Sequence, residues 1–264
     1  MLPSRALRTV LPFALLVLSA AAQGGGGGGG GRGRSEAITN RVACFFVAGK
    51  VEAKGEAKAG DSADPLVAVA AVQEAIAAHI PVFIYLYDTK DNRKRESYEQ
   101  IMFGGDEMGI SLRPFRCVRI DVSDEPALQK YQSRVPVFAA YDRDGHPEGE
   151  VSQVGYKAAM NAVSVLLGKA AAGQVKPSLQ TFVEGYRAVV RELEVNEARK
   201  KTARDRMSNL GEKDAARRAA LEKDLKQLDA DLKALEAREA ELLKQAQVPP
   251  RPKDATRLGE RKGR

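Results

Sequence analysis

Two kinds of apolar spacing alternate along this chain. Dense runs of apolar residues occur at 42–47 (Val-Ala-Cys-Phe-Phe-Val), 81–87 (Pro-Val-Phe-Ile-Tyr-Leu-Tyr), 115–122 and 137–141. Runs of four to eight such residues bounded by turn signals predict buried strands. A further strand is predicted at 150–154, joined to 137–141 through the turn Asp142-Arg143-Asp144-Gly145. Between the runs, apolar residues recur every three or four positions. Asp64 and Pro65 open a predicted helix, Asp as a cap and Pro at the first helical position, with Leu66, Val69, Ala70, Ile76 and Ala77 on one face. Pro81 ends that helix. A second helix is predicted over 93–108, broken or kinked at Gly104-Gly105. A short one runs from Asp124-Glu125-Pro126 to Tyr131, and another spans 157–172 with Ala159, Val163, Leu166 and Leu167 inward and Gly173 as terminator. Strand-helix-strand units imply parallel pairing and the hairpin an antiparallel edge, which together predict an α/β fold with a mixed sheet.

From residue 178 to 247 the pattern becomes helical throughout. Leu179, Phe182, Val183, Tyr186, Val189, Val190 and Leu193 form one stripe. Leu221, Leu225, Leu228, Leu232, Leu235 and Leu242 form another at coiled-coil spacing. The turn-like Ser208-Asn209-Leu210-Gly211 between them predicts an antiparallel helical hairpin, folding Leu193 back to Leu225 and Val183 to Leu235. One long helix in an intermolecular coiled coil is the alternative, and it would make the chain a homo-oligomer. Val248-Pro249-Pro250 ends the helical region, and residues 248–264 read as a basic disordered tail.

The other end has the build of an export signal: Arg5 and Arg8, an apolar stretch over 10–18, and Ala20-Ala21-Ala22 as a small-residue cleavage site. Residues 1–22 are therefore expected to be a signal peptide and the location extracytoplasmic, periplasmic or secreted. An uncleaved segment would be the one route to a membrane, since no later stretch reaches spanning length. The glycine tract 24–31 and Arg32-Gly33-Arg34 make residues 23–37 a flexible linker.

Composition narrows the chemistry. A net charge of +7 over 264 residues favours anionic partners without specifying one. Two arginines beside the glycine tract are too few to indicate nucleic acid. His79 and His146 are the only histidines and neither has metal-ligand spacing with a cysteine, so no metal is expected. No phosphate loop, dinucleotide fingerprint or nucleophile elbow occurs, and no cofactor is expected. Cys44 and Cys117 sit within apolar runs; an exported chain permits one disulfide between them, and burial as free thiols is the alternative.

Five local features, in order, resemble the thioredoxin family: the Pro-led strand at Pro81; Arg119-Ile120-Asp121-Val122; Pro126 to Tyr131 ending in Lys-Tyr; Arg134-Val135-Pro136-Val137-Phe138; and the Asp144-Gly145 turn followed by a strand and Gly155. The resemblance implies a thioredoxin-like three-layer sandwich over 38–173, with Pro136 as the cis-proline beside the active site. The family's chemistry needs a thiolate opening the second helix and a second thiol to resolve the mixed disulfide. Here Asp91 stands in the attacking position and Lys94 in the resolving one. The resemblance thus implies an exported, non-catalytic thioredoxin-like protein acting through protein contacts or scaffolding. The alternatives are a divergent thiol-disulfide oxidoreductase using Cys44 or Cys117, and a binder of an anionic envelope polymer through the basic ends.

Overall fold

The computed structural model describes residues 34–51, 64–123, 125–152, 155–211 and 214–259, with the backbone alone for 91–94. The expected signal peptide and most of the linker lie outside these residues. The linker's last residues do not: Ser35 caps helix α1 (Glu36–Val42), its Oγ accepting the Ile38 N–H at 3.2 Å. Arg34 donates two 2.8 Å hydrogen bonds to Asp106 and a third to Glu194, so residues ahead of the predicted boundary at residue 38 are tied to the helices that carry Asp106 and Glu194.

A single six-stranded mixed sheet organises the molecule. Its strands are β1 (Cys44–Ala48), β2 (Val82–Tyr87), β3 (Arg116–Asp121), β4 (Val137–Tyr141), β5 (Pro147–Ser152) and β6 (Thr256–Leu258), in the order β5-β4-β2-β3-β1-β6. β1, β3 and β2 are mutually parallel, and β4, β5 and β6 are antiparallel to their neighbours. β2 is buried on both faces, as its unbroken apolar run requires. Val82, Ile84 and Leu86 face one core with α2 (Ala70–Ala77) and the 3-10 helix Pro126–Tyr131. Phe83 and Tyr85 face the other, where Phe46, Phe103 and Phe138 close an aromatic cluster with centroid spacings of 4.9–6.3 Å.

The second core is roofed by α1, α3 (Asn92–Phe103), α4 (Asp106–Ser111), α5 (Tyr156–Ala170) and the first half of α6 (Leu179–Ser208). Gly104-Gly105 breaks the predicted single helix into α3 and α4, and Gly109 on α4 lies directly against the backbone of Val42 and Ala43. The helix expected from Asp64 starts five residues later: residues 65–68 form turns, because Asp64 Oδ1 takes the Leu66 N–H while Oδ2 accepts from Tyr141.

The helical region is an antiparallel hairpin of α6 and α7 (Ala215–Gln245). Its register differs from the expected one. Glu192 pairs with Arg238 at 3.1 Å, Tyr186 with Glu239 at 2.5 Å, and Asn196 Nδ2 donates to the Leu228 carbonyl at 3.0 Å. Position 193 therefore meets the region beyond Leu232 and not Leu225, a shift of roughly two helical turns. The cause is the long connection between Ser208 and Ala215, which moves the point of reversal towards α7.

Two further corrections concern the ends of the helical region. The α6 stripe from Leu179 to Leu193 is continuous with the sheet's own core, so the hairpin is rooted in the α/β body. The tail is not disordered over its described part. Leu258 and Thr256 pair with Cys44 and Phe46, Arg251 NH2 donates to the Asn40 carbonyl at 2.8 Å, and Arg257 NH1 to Asn40 Oδ1 at 3.1 Å.

Candidate functional site

Parallel strands with helical crossovers carry their loops to the carboxyl ends, where α/β proteins place ligands. Here β2 and β3 end side by side, Tyr87 opposite Asp121, and antiparallel β4 begins with Val137 opposite Leu86. One step further in that register puts Pro136 beside Tyr87. The Val135–Pro136 bond is cis. Asp91 closes the 3-10 turn Thr89–Asp91, and Lys94 lies in the first turn of α3. The backbone of Asp91 and Lys94 and the proline loop thus share one rim of the sheet. The described polar side chains there, Asp88, Thr89, Asp121 and Ser123, are locally committed. Asp88 Oδ1 accepts the Lys90 N–H at 2.7 Å, and Thr89 and Ser123 hydroxyls meet at 3.1 Å. Asp121 Oδ1 accepts from Ser123 N and Oγ at 3.0 and 2.7 Å. Burial would raise the Asp121 carboxyl, but these bonds outweigh it and hold the group below the usual aspartate value.

The thiols lie at the opposite end. Cys44 is the first residue of β1 and Cys117 the second of β3. From Cys117 to Asp121 is four residues, about 13 Å of strand. Both thiols are free and buried. Burial raises both above the usual thiol value, leaving them protonated and unreactive at neutral pH. Of the two readings, buried free thiols and a Cys44–Cys117 disulfide, the structure has the first, for a reason of register. Val47 pairs with Val118, so Cys44 falls opposite position 115 and lies two residues from Cys117 along the strands. That offset and the inter-strand spacing together separate the Cα atoms by about 8 Å, beyond disulfide reach.

Beneath the rim is a group of polar side chains that sequence reading missed. Tyr85 and Tyr87 stack at 5.5 Å, the Arg95 guanidinium lies 5.2 Å over the Tyr87 ring, and Arg95 stands 3.7 Å from Glu99 one turn along α3. Arg119, opposite Tyr85 in the register, also approaches Glu99. Glu99 is 9% exposed and its Oε1 has no hydrogen-bond partner. Burial outweighs the attraction of Arg95 and Arg119, so the Glu99 carboxyl is held above the ordinary value of 4.5. The same-face spacing of Tyr85 and Tyr87 and the i,i+4 spacing of Arg95 and Glu99 were the available signals.

A raised carboxyl penalises the charged folded state. Its stabilising contribution is complete below the unfolded value and is lost as pH rises through the folded one. Glu99→Gln is therefore expected to be more stable than the parent at pH 7, with the gain vanishing as pH falls below 4.5. Urea unfolding at both pH values checks this; a gain of the same size at both would show that the charge is not involved.

Among the described residues no group of three His, Cys, Asp or Glu side chains stands close enough to hold a metal ion, and no helix is long and apolar enough to cross a membrane. Set against protein-family models, curated proteins and solved structures, the chain matches none.

Proposed function

We propose that this chain is an exported thioredoxin-like protein without thiol chemistry that works through protein contacts. The observation that carries the reading is the position of the two thiols: buried, protonated, and at the end of the sheet remote from Pro136 and Asp91. Three other features support it. The order β5-β4-β2-β3-β1 has the strand directions that the resemblance implies, with a cis-proline before β4. The leader-like residues 1–22 support export. Beyond Leu193 the hairpin carries Leu221, Leu225, Leu228, Leu232 and Leu235 only partly buried, beside a half-exposed Val195, which is apolar surface suited to a partner helix or a second copy.

The decisive experiment is a dithiol-driven reduction assay on a model disulfide substrate. The parent and the Cys44→Ser, Cys117→Ser double variant are expected to give the same rate, equal to the rate without protein. Native-state alkylation of both cysteines is expected to be at least about 100-fold slower than in urea. Turnover that disappears with Cys117→Ser would overturn the reading. For the contacts themselves, a photo-crosslinking residue at Val195 is expected to capture a discrete partner in the exported protein. Capture at neither Val195 nor the exposed rim position Lys90 would count against a recognition role.

A further inference from the structure

At the end of the sheet remote from Pro136 the chain encloses a cleft of about 190 Å³, between the starts of β1 and β3, the end of α4 and the proline-rich segment that follows α7. Its walls are largely apolar, among them Phe45, Phe115, Val248 and Pro249, and its charged members are Arg113, Arg116 and Arg251. None of the described residues lining it is acidic.

Two of these arginines are fixed in place by neutral groups. The Arg251 guanidinium lies 3.4 Å from the Phe45 ring centroid and donates to the Asn40 carbonyl at 2.8 Å. The Arg113 guanidinium lies 4.8 Å over the Tyr186 ring and donates to the Arg41 carbonyl at 2.8 Å, while its buried Nε has no partner. The acceptors belong to the last turn of α1, which offers at most a partial negative charge. Glu239, the carboxylate of the adjoining network, is already held by Arg41 and Tyr186. Burial, together with the positive charges of Arg113 and Arg257, lowers Arg251 from the ordinary arginine value. Arg113, Arg116 and Arg251 thus gather positive charge in a sheltered, apolar space whose described lining holds no anion.

We propose that this cleft binds a small organic carboxylate, its head on Arg113 and Arg251 and its apolar body against Phe45, Phe115 and the prolines. Guanidinium forks match a planar carboxylate. The volume is that of roughly six waters at about 30 Å³ each, room for a body of the size of one aromatic ring. A doubly charged phosphate group would bury more unpaired oxygen against the apolar walls. The tail is the essential part, because it brings Arg251 and the prolines back onto the start of β1.

The test is the thermal unfolding midpoint of the full chain with benzoate as probe. A ligand that binds only the folded state raises the midpoint by mass action, so a saturable rise of several degrees is expected at excess benzoate. Benzyl alcohol, which has the ring without the charge, and inorganic phosphate, which has charge without the ring, are expected to leave it unchanged. Arg251→Gln is expected to abolish the benzoate rise. No rise with benzoate overturns the proposal, as does an equal rise with either control or a full rise in Arg251→Gln. The three-probe comparison on the parent decides the matter even if that variant does not fold.

Discussion

Gly109→Ala is expected to lower stability by about 3 kcal/mol or more and to detach α1 from α4. A Cβ at this position would overlap the carbonyl oxygen of Val42 and press on the Ala43 backbone. Side-chain overlap can be relieved by rotamer changes, usually at 1–3 kcal/mol, but backbone cannot step aside without moving its element. That element is α1, whose Ile38 and Val42 are buried in the second core and whose last carbonyls anchor Arg113 and Arg251. Urea unfolding measures the loss. Gly168→Ala on the open face of α5, where a Cβ meets nothing within 4 Å, serves as the control and is expected to stabilise by roughly 0.5–1 kcal/mol. Equal behaviour of the two variants would show that α1 and α4 are not in contact.

Glu239→Ala is expected to be nearly as damaging, at about 3 kcal/mol. Glu239 is 8% exposed, accepts 3.0 and 2.9 Å hydrogen bonds from Arg41 Nε, and accepts the Tyr186 hydroxyl. Deleting one partner of a buried pair leaves the other charge unpaired, which typically costs 3–5 kcal/mol. Partial exposure of Arg41 places the expectation at the low end. Tyr186→Phe, which removes one hydrogen bond, is expected to cost about 1 kcal/mol. Replacing the pair together, Arg41→Met with Glu239→Leu, is expected to restore most of the loss. A double-mutant cycle measures the coupling; additive losses would mean that α7 is not held to α1 by this contact.

What the sequence disclosed divides by range. β2, β3 and β4 are apolar runs with turn signals at their ends, and the two stripes of the hairpin are explicit in their spacing, so local pattern alone located them. Pro136 was singled out only through the resemblance of Arg134-Val135-Pro136-Val137-Phe138 to the thioredoxin cis-proline segment, since Pro81 leads a dense strand in the same way. Apart from the late start of α2, where Asp64 bonds locally to Leu66, the failures are pairings over long separation. Thr256, Arg257 and Leu258 make a three-residue strand flanked by prolines and charge, and nothing local distinguishes them from a solvated tail; their partner lies over 200 residues earlier. The α6 stripe has the same spacing whether it packs on a sheet or on another helix. The cysteine offset depends on a register that two separated runs cannot reveal, and the Glu99 group needed that register too.

The pairing of β6 with β1 has a consequence for the making of the protein. Among the described strands β1 is the first to leave the ribosome and β6 the last, so the outer edge of β1 stays bare until the four strands between them have emerged. An unpaired edge is a template for strand addition from any neighbouring chain. Domains form in the order in which they emerge, and long-range strand pairs close slowly. Stop codons or proteolytic nicks ahead of Thr256 would make that transient exposure permanent, producing chains that aggregate although nearly all of their core is present.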